Sequence, residues 1–188
     1  MTKARGGPRK TAQYAPGYTP HPVATGNGKH ELAVSVKGWI LGFDPGTGKE
    51  LWRCEGIPDY ICPSIVSHQG VLYALGGRSS KAIAVRSGGR GDVTATHKLW
   101  QADVGANVAS PVVHDGHLYW VSDRNRQAYC VSLADGSVKY AERFPAQPYA
   151  SALLADGKIY IVTRNASPIV CNGNLILRSD QNLYCIAK

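Results

Sequence analysis

Acidic residues are missing from the start of the chain: Met1 to His30 hold no Asp or Glu, while Lys3, Arg5, Arg9, Lys10 and Lys29 are all basic. Five of the excess positive charges in a chain of formal net charge +8 therefore sit in this leader. The remainder is only mildly basic, so a solvated basic tail is expected rather than a nucleic-acid groove. The leader lacks an apolar run of signal-peptide length, and no stretch approaches a membrane span. The chain reads as soluble with no export signal in view, and secretion stays open if the true start lies upstream. The five cysteines, Cys54, Cys62, Cys130, Cys171 and Cys185, form no CxxC pair and no CxxCH haem signature. An odd count without framework spacing predicts buried structural thiols. GxSxG elbows, phosphate-binding loops and HExxH zinc helices are also absent, which leaves nucleophilic and phosphoryl catalysis without support.

Phenylalanine and methionine are scarce, at two and one, whereas tyrosine, tryptophan and glycine number 10, 4 and 21. That mixture favours strands separated by tight turns, and 44% hydrophobic residues in 188 suffices for a real core. Self-similarity then organises the chain. Ser64 to Gly70, Ser110 to Gly116, Ser151 to Gly157 and Ser167 to Gly173 each run from a serine to a glycine six positions on. Each is followed by a second aliphatic and aromatic run, such as Val71-Leu72-Tyr73 or His117-Leu118-Tyr119. Gln69, Asp115, Asp156 and Asn172 precede the glycines. A polar residue and glycine between two apolar runs predicts a two-residue hairpin, because both turn positions need positive φ.

A second hairpin follows: Trp39 to Phe43 with Lys49 to Trp52, and Ala128 to Leu133 with Ser137 to Tyr140. Cys130 and Cys185 each follow a tyrosine and precede an aliphatic residue, as a repeated core position would. Two hairpins per unit give four antiparallel strands. The hairpin glycines 70, 116 and 157 are 46 and 41 residues apart, the spacing of propeller blades. The expected fold is all-β: a partial β-propeller of about four four-stranded antiparallel blades with a truncated last blade, behind an irregular N-terminal tail. The units are residues 30–56, 57–105, 106–148 and 149–188, after a basic, disordered leader of residues 1–29. The last glycine interval, 157 to 173, is 16 residues and cannot hold an outer hairpin.

The run Gly42-Phe43-Asp44-Pro45-Gly46-Thr47-Gly48-Lys49-Glu50-Leu51-Trp52 resembles the tryptophan-docking motif of quinoprotein-type propellers, with Asp44, Thr47, Gly48, Lys49 and Trp52 at the matching spacing. Physically, Asp44 and Thr47 can accept from the donors of a tight turn, Gly48 can take positive φ, and Trp52 offers an apolar plate to the next sheet. Weaker copies end at Trp100, after a long basic loop, and at Tyr140. Residues 33–188 are similar to the quinoprotein-like, PQQ-binding-like repeat proteins of bacteria, and share architecture with outer-membrane assembly scaffold lipoproteins. Family members close rings of seven or eight blades; this chain has material for about four. The resemblance suggests a periplasmic or secreted location.

For a dehydrogenase of that family, the resemblance would imply pyrroloquinoline quinone (PQQ) with Ca2+, a carboxylate base and often a ring of adjacent cysteines. No cysteines are adjacent, and Asp44, Asp115, Asp135 and Asp156 occupy turns on separate blades, where they cannot converge on a cation. The chain is therefore expected to be no enzyme and to bind no cofactor. A non-catalytic scaffold or ligand-binding module is the leading reading, with a remnant of a PQQ-dependent dehydrogenase or an inactive truncated fragment as alternatives. His114-Asp115-Gly116-His117 are ordinary hairpin positions rather than zinc ligands. Arg90-Gly91-Asp92 falls in a glycine-rich turn, and the serine of Asn165-Ala166-Ser167 is the repeat serine.

Loops between strands gather at one end of a propeller, and here they would present Tyr60, Arg78, Lys81, Arg124, Arg126 and Tyr149 to a protein or polysaccharide partner. Uncovered blade edges would favour self-association.

Overall fold

The computed structural model describes residues 29–144, 147–155 and 157–161 in full, and the backbone alone of residues 21–24, 166–171, 174–179 and 183–186. Most of the leader, residues 1–20 and 25–28, lies outside the described residues, as do Asp156, Asn172, Gly173 and the Thr163-Arg164-Asn165 segment. The first sheet contains β1 (His21–Ala24), β2 (His30–Val36), β3 (Trp39–Phe43) and β4 (Glu50–Glu55). The second contains β5 (Val66–His68), β6 (Val71–Gly76) and β7 (Lys81–Arg86). An insertion holding β8 (Gly91–Asp92) and the single-turn helix α1 (Thr94–His97) then leads to its fourth strand, β9 (Lys98–Ala102). The third contains β10 (Val112–His114), β11 (His117–Ser122), β12 (Gln127–Ser132) and β13 (Val138–Arg143). A two-stranded sheet of β14 (Leu153–Ala155) and β15 (Lys158–Tyr160) follows, then a three-stranded sheet of β16 (Ala166–Cys171), β17 (Asn174–Ser179) and β18 (Leu183–Ile186). The fold is thus an all-β partial propeller.

Two expectations change. The first sheet reaches back into the stretch assigned to the leader, because β1 pairs with β2 from His21↔Ala33 to Ala24↔His30. Pro22 is compatible with this, since β1 lies at the sheet edge, where a residue without an N–H is tolerated. Among the described residues, 149–188 hold two sheets, a truncated first hairpin and a separate three-stranded one. The short interval after Gly157 leaves no chain for an outer hairpin beside β15, and the next hairpin starts a sheet of its own.

The hairpin turns have the geometry that their residues demand. Gln69 and Gly70 have φ of 48° and 76°, Asp115 and Gly116 44° and 70°, and Gly157 67°. Glycine, and a short polar residue such as Asp115, tolerate this left-handed region at little strain. The resulting registers are the same in each repeat. Tyr73, Tyr119 and Tyr160 pair with Val66, Val112 and Leu153 respectively. Across the outer strands the row continues as Ala33-Gly42-Trp52, Tyr73-Ala84-Trp100 and Tyr119-Cys130-Tyr140. A bulge follows the middle residue every time, after Gly42, Ala84 and Cys130. In β18, Cys185 pairs with Ile176 at the corresponding register, so the repeated cysteine position is visible in the backbone.

These rows explain the packing. One core lies between the first and second sheets and includes Ile40, Trp52, Cys54, Leu72, Ile83 and Val85. Another lies between the second and third and includes Tyr73, Leu75, Ala84, Leu118, Trp120 and Val131. Period-2 alternation sends β6 and β7 side chains to both cores in turn, so the second sheet is apolar on both faces. Each fully buried aliphatic or aromatic side chain contributes about 1.5–3 kcal/mol. Cys54 and Cys130 are buried free thiols as the sequence suggests, but Cys62 is exposed, because it lies in the connection between β4 and β5 rather than in a strand. The side chains of Cys171 and Cys185 lie outside the described residues.

The insertion between β7 and β9 binds backwards. β8 runs parallel to β4, with Trp52↔Gly91 and Arg53↔Asp92 as partners. The Val93 amide donates to the Arg53 carbonyl at 2.8 Å and the Glu55 amide to Thr94 Oγ1 at 2.9 Å. Lys98 and Arg90 pair with Glu55 and Glu31. Gly91 and Asp92 of the Arg90-Gly91-Asp92 tripeptide are therefore in a strand rather than a turn, since the open edge of β4 supplies partners for their backbone.

Candidate interaction face

The docking motif builds its turn from its own side chains. Asp44 Oδ1 accepts from the Gly46 amide at 2.9 Å, the Thr47 amide at 2.7 Å and the Thr47 hydroxyl at 2.9 Å. Gly48 has φ 69° and its amide donates to the Asp44 carbonyl. The Thr47 amide above all holds the Asp44 carboxyl below its usual range. In the third sheet the same turn is made with the roles exchanged: Ser132 Oγ accepts from Ala134, and Asp135 Oδ1 accepts from the Ser137 amide and hydroxyl. These bonds, the Ser137 amide first, bring Asp135 down to about 2.

The three aromatic residues of the motif end in three different places. Trp100 lies against Gly136 of the following sheet, where a Cβ would come within 2.7 Å of its ring, and its Nε1 donates to the Leu133 carbonyl at 2.8 Å. Trp52 is fully buried between the first two sheets. Its Nε1 donates instead to Glu31 Oε2 of its own sheet, at 2.7 Å. In the second sheet the 87–97 insertion stands where the third sheet has the short turn whose Leu133 carbonyl receives Trp100. Tyr140 is 47% exposed. Lys49 is exposed at the turn, and its amide donates to Thr47 Oγ1 at 3.3 Å. Glu31, a buried carboxylate, carries no sequence signal beyond being the first acidic residue of the chain.

At the other end of the sheets, the three connections between successive sheets lie side by side. The repeat serines join them: the Ser64 amide donates to Ser110 Oγ and the Ser110 amide to Ser151 Oγ, both at 2.9 Å. A second line of bonds runs above. Tyr60 Oη donates to Asn107 Oδ1, the Asn107 amide donates to Asp123 Oδ1 at 3.2 Å, and Gln147 Nε2 donates to the Asp123 carbonyl at 3.2 Å. The Arg78 guanidinium lies over the Tyr60 ring at 5.7 Å, and Arg124 Nη1 donates to the Arg78 carbonyl. Asp59 fastens the β6–β7 turn by accepting from Ser79 and from Tyr60, whose amide does most to lower its carboxyl.

Of the six residues expected on this face, Tyr60, Arg78 and Arg124 belong to one bonded group. Lys81 pairs with Asp103. Arg126 is exposed at the turn before β12 with φ 54°, and Tyr149 is 45% exposed. Asp123 and Gln147 lie in the loops 123–127 and 144–149 that the sequence puts on this face without being singled out there, and Asn107 carries no signal because it sits at no repeated position. The serines were visible as a repeat, and their hydroxyls supply its reason.

The model of the family described as outer membrane protein assembly factor BamB matches residues 36–182. The chain belongs to that family. Among solved structures it is similar to BamB from Moraxella catarrhalis, 16% identical with a TM-score of 0.64, over 89% of this chain and 56% of that one. It is also similar to the computationally designed Ika4 protein, 8% identical with a TM-score of 0.52, over 85% of this chain and 87% of that one. No protein with a curated description matches the sequence. The chain thus spans about half the length of the BamB structure, and PQQ-like propeller repeats account for the part described.

Proposed function

We propose that this BamB-family chain is a non-catalytic interaction module that holds a protein partner on the loop end of its sheets. The observation that carries this reading is the continuous hydrogen-bonded line from Tyr60 through Asn107 and Asp123 to Gln147. It ties three separate connections into one surface before any partner arrives, which reduces the ordering entropy of association. On that surface Arg78, Arg124, Arg126 and Tyr149 are exposed, offering planar donors and an amphipathic ring to a polar partner. The family description, an assembly factor for outer membrane proteins, supports a protein partner at the bacterial envelope over a polysaccharide.

The quinone-dependent alternative fits the residues poorly. Among the described residues no three His, Cys, Asp or Glu side chains come together as a cation site, and Asp44, Asp115 and Asp135 lie in turns at the end away from the loop face. The test is site-specific photo-crosslinking in the host cell, with the cross-linker at Tyr149, and at Leu99 as a control on β9. One partner cross-linked from the loop end and lost in an Arg124→Ala/Arg126→Ala variant is expected. Equal cross-linking from Leu99, or a quinone absorbance change on adding PQQ with calcium, would count against the proposal.

A further inference from the structure

In each of the first three sheets the second strand is bonded on both sides: β2 to β1 and β3, β6 to β5 and β7, β11 to β10 and β12. β15 occupies the same place in its repeat and, among the described residues, pairs only with β14. Its inner hairpin is nevertheless in line with the others, since Ser151 receives the Ser110 amide. Ala155 and Lys158 face each other across the turn, so the alternation of an antiparallel ladder turns the amide and carbonyl of Ile159 to the edge that no described strand covers. Beside that edge, the third sheet's docking face is covered near β11 and bare further out. Cys130 is buried, whereas its outward neighbour in the same row, Tyr140 on β13, is 47% exposed.

The geometry points to a docking site for a β-hairpin supplied by a partner protein, which adds to β15 and lays its turn on Tyr140. This rests on the reading of the chain as an interaction module and names a second surface for it. The chemistry of the occupant follows from the repeats that are complete. A branched aliphatic residue stands opposite Ile159, as Val85 stands opposite Leu72 and Val131 opposite Leu118. A small residue stands opposite Tyr160, as Ala84 and Cys130 stand opposite Tyr73 and Tyr119. A glycine-containing turn covers Tyr140, as the Gly136 turn covers Trp100. Main-chain bonds to a free strand edge supply affinity, and the alternating side chains supply selectivity. A second copy is a poorer occupant, because the outer hairpins of the first three sheets are already bonded within their own sheets.

The probe is a synthetic peptide with the sequence of residues 126–143, alanine replacing Cys130, titrated into the full chain and followed by fluorescence anisotropy and amide exchange. Saturable one-to-one binding is expected, with slowed exchange at Ile159. N-methylation of the peptide's valine at position 131, or Tyr140→Ala in the chain, should each weaken binding about tenfold. The N-methylated peptide leaves the protein untouched, so its result is independent of folding. Equal binding of that peptide, or no binding by a chain whose β11 amides are protected, overturns the proposal. So does self-association that Tyr140→Asp abolishes and the peptide fails to compete, since a second copy would then be the occupant. If the peptide fails while loop-end cross-links persist, the interaction-module reading stands and only this site falls.

Discussion

Replacing Trp52 with phenylalanine removes a donor from a buried carboxylate, and the structure sets the size of the effect. Glu31 is 4% exposed; Trp52 Nε1 reaches it at 2.7 Å, while Arg90, its other partner, stands 3.5 Å away and is itself largely exposed. A hydrogen bond to a charged group contributes about 1.5–3 kcal/mol, and the partial cavity left by the smaller ring adds about 1 kcal/mol or more. Trp52→Phe should therefore destabilise by about 2.5–4 kcal/mol, a large share of an ordinary domain's total stability. Trp100→Phe is the internal control. Its Nε1 gives up a bond to a neutral carbonyl at a partly buried site, so about 1–2 kcal/mol is expected. Urea unfolding followed by circular dichroism measures both, with an unchanged slope marking a change of stability alone. Adding Glu31→Leu to Trp52→Phe removes the stranded charge, so the double variant should be more stable than the two separate costs imply, by at least about 1 kcal/mol. Equal losses for the two tryptophans, or additive behaviour of Trp52 and Glu31, would refute the reasoning.

Ser110→Ala deprives the Ser64 amide of its acceptor, and a loss of about 0.5–1.5 kcal/mol with faster exchange at that amide is expected; unchanged exchange would show that the link is dispensable. Gly42→Ala places a Cβ 2.1 Å from the Trp52 ring, so overpacking of about 1–3 kcal/mol should appear in unfolding curves, and a neutral result would mean that the ring is free to move. The depressed Asp135 carboxyl stabilises the fold above its ordinary value of 3.8, and that contribution disappears as pH falls through about 2. A carboxyl NMR titration of Asp135 should show a midpoint near 2 that rises in Ser137→Ala; a midpoint at the ordinary value would remove the turn's hydrogen bonds from the account.

The inner hairpins were legible because their signal is local. Asp115-Gly116 between apolar runs determines φ, and φ determines register, so the serine-to-glycine spacing carried over into matching positions for Tyr73, Tyr119 and Tyr160. The docking turn was legible for the same reason, since Asp44, Thr47 and Gly48 are neighbours. What depended on long-range partners was not. Trp52 finds Glu31 across 21 positions, and the insertion at 87–97 finds the edge of β4, because a sheet edge bonds whatever backbone can reach it. The loop face was half legible: exposed Arg78 and Arg124 could be expected on turns, but Asp123 became its hub through a buried position that no pattern announces.

The strand that β8 lends to the first sheet also changes what counts as a unit of inheritance in this chain. Repeat arrays of this kind are exchanged and duplicated blade by blade when each sheet closes on itself. Here a cut near residue 56 would strip β4 of its outermost neighbour and leave Arg53 and Glu55 without their bonds to Val93 and Thr94. The first two sheets are therefore laced together by main-chain bonds over residues 21–102, whereas β10 to β13 of the third make a ladder of their own.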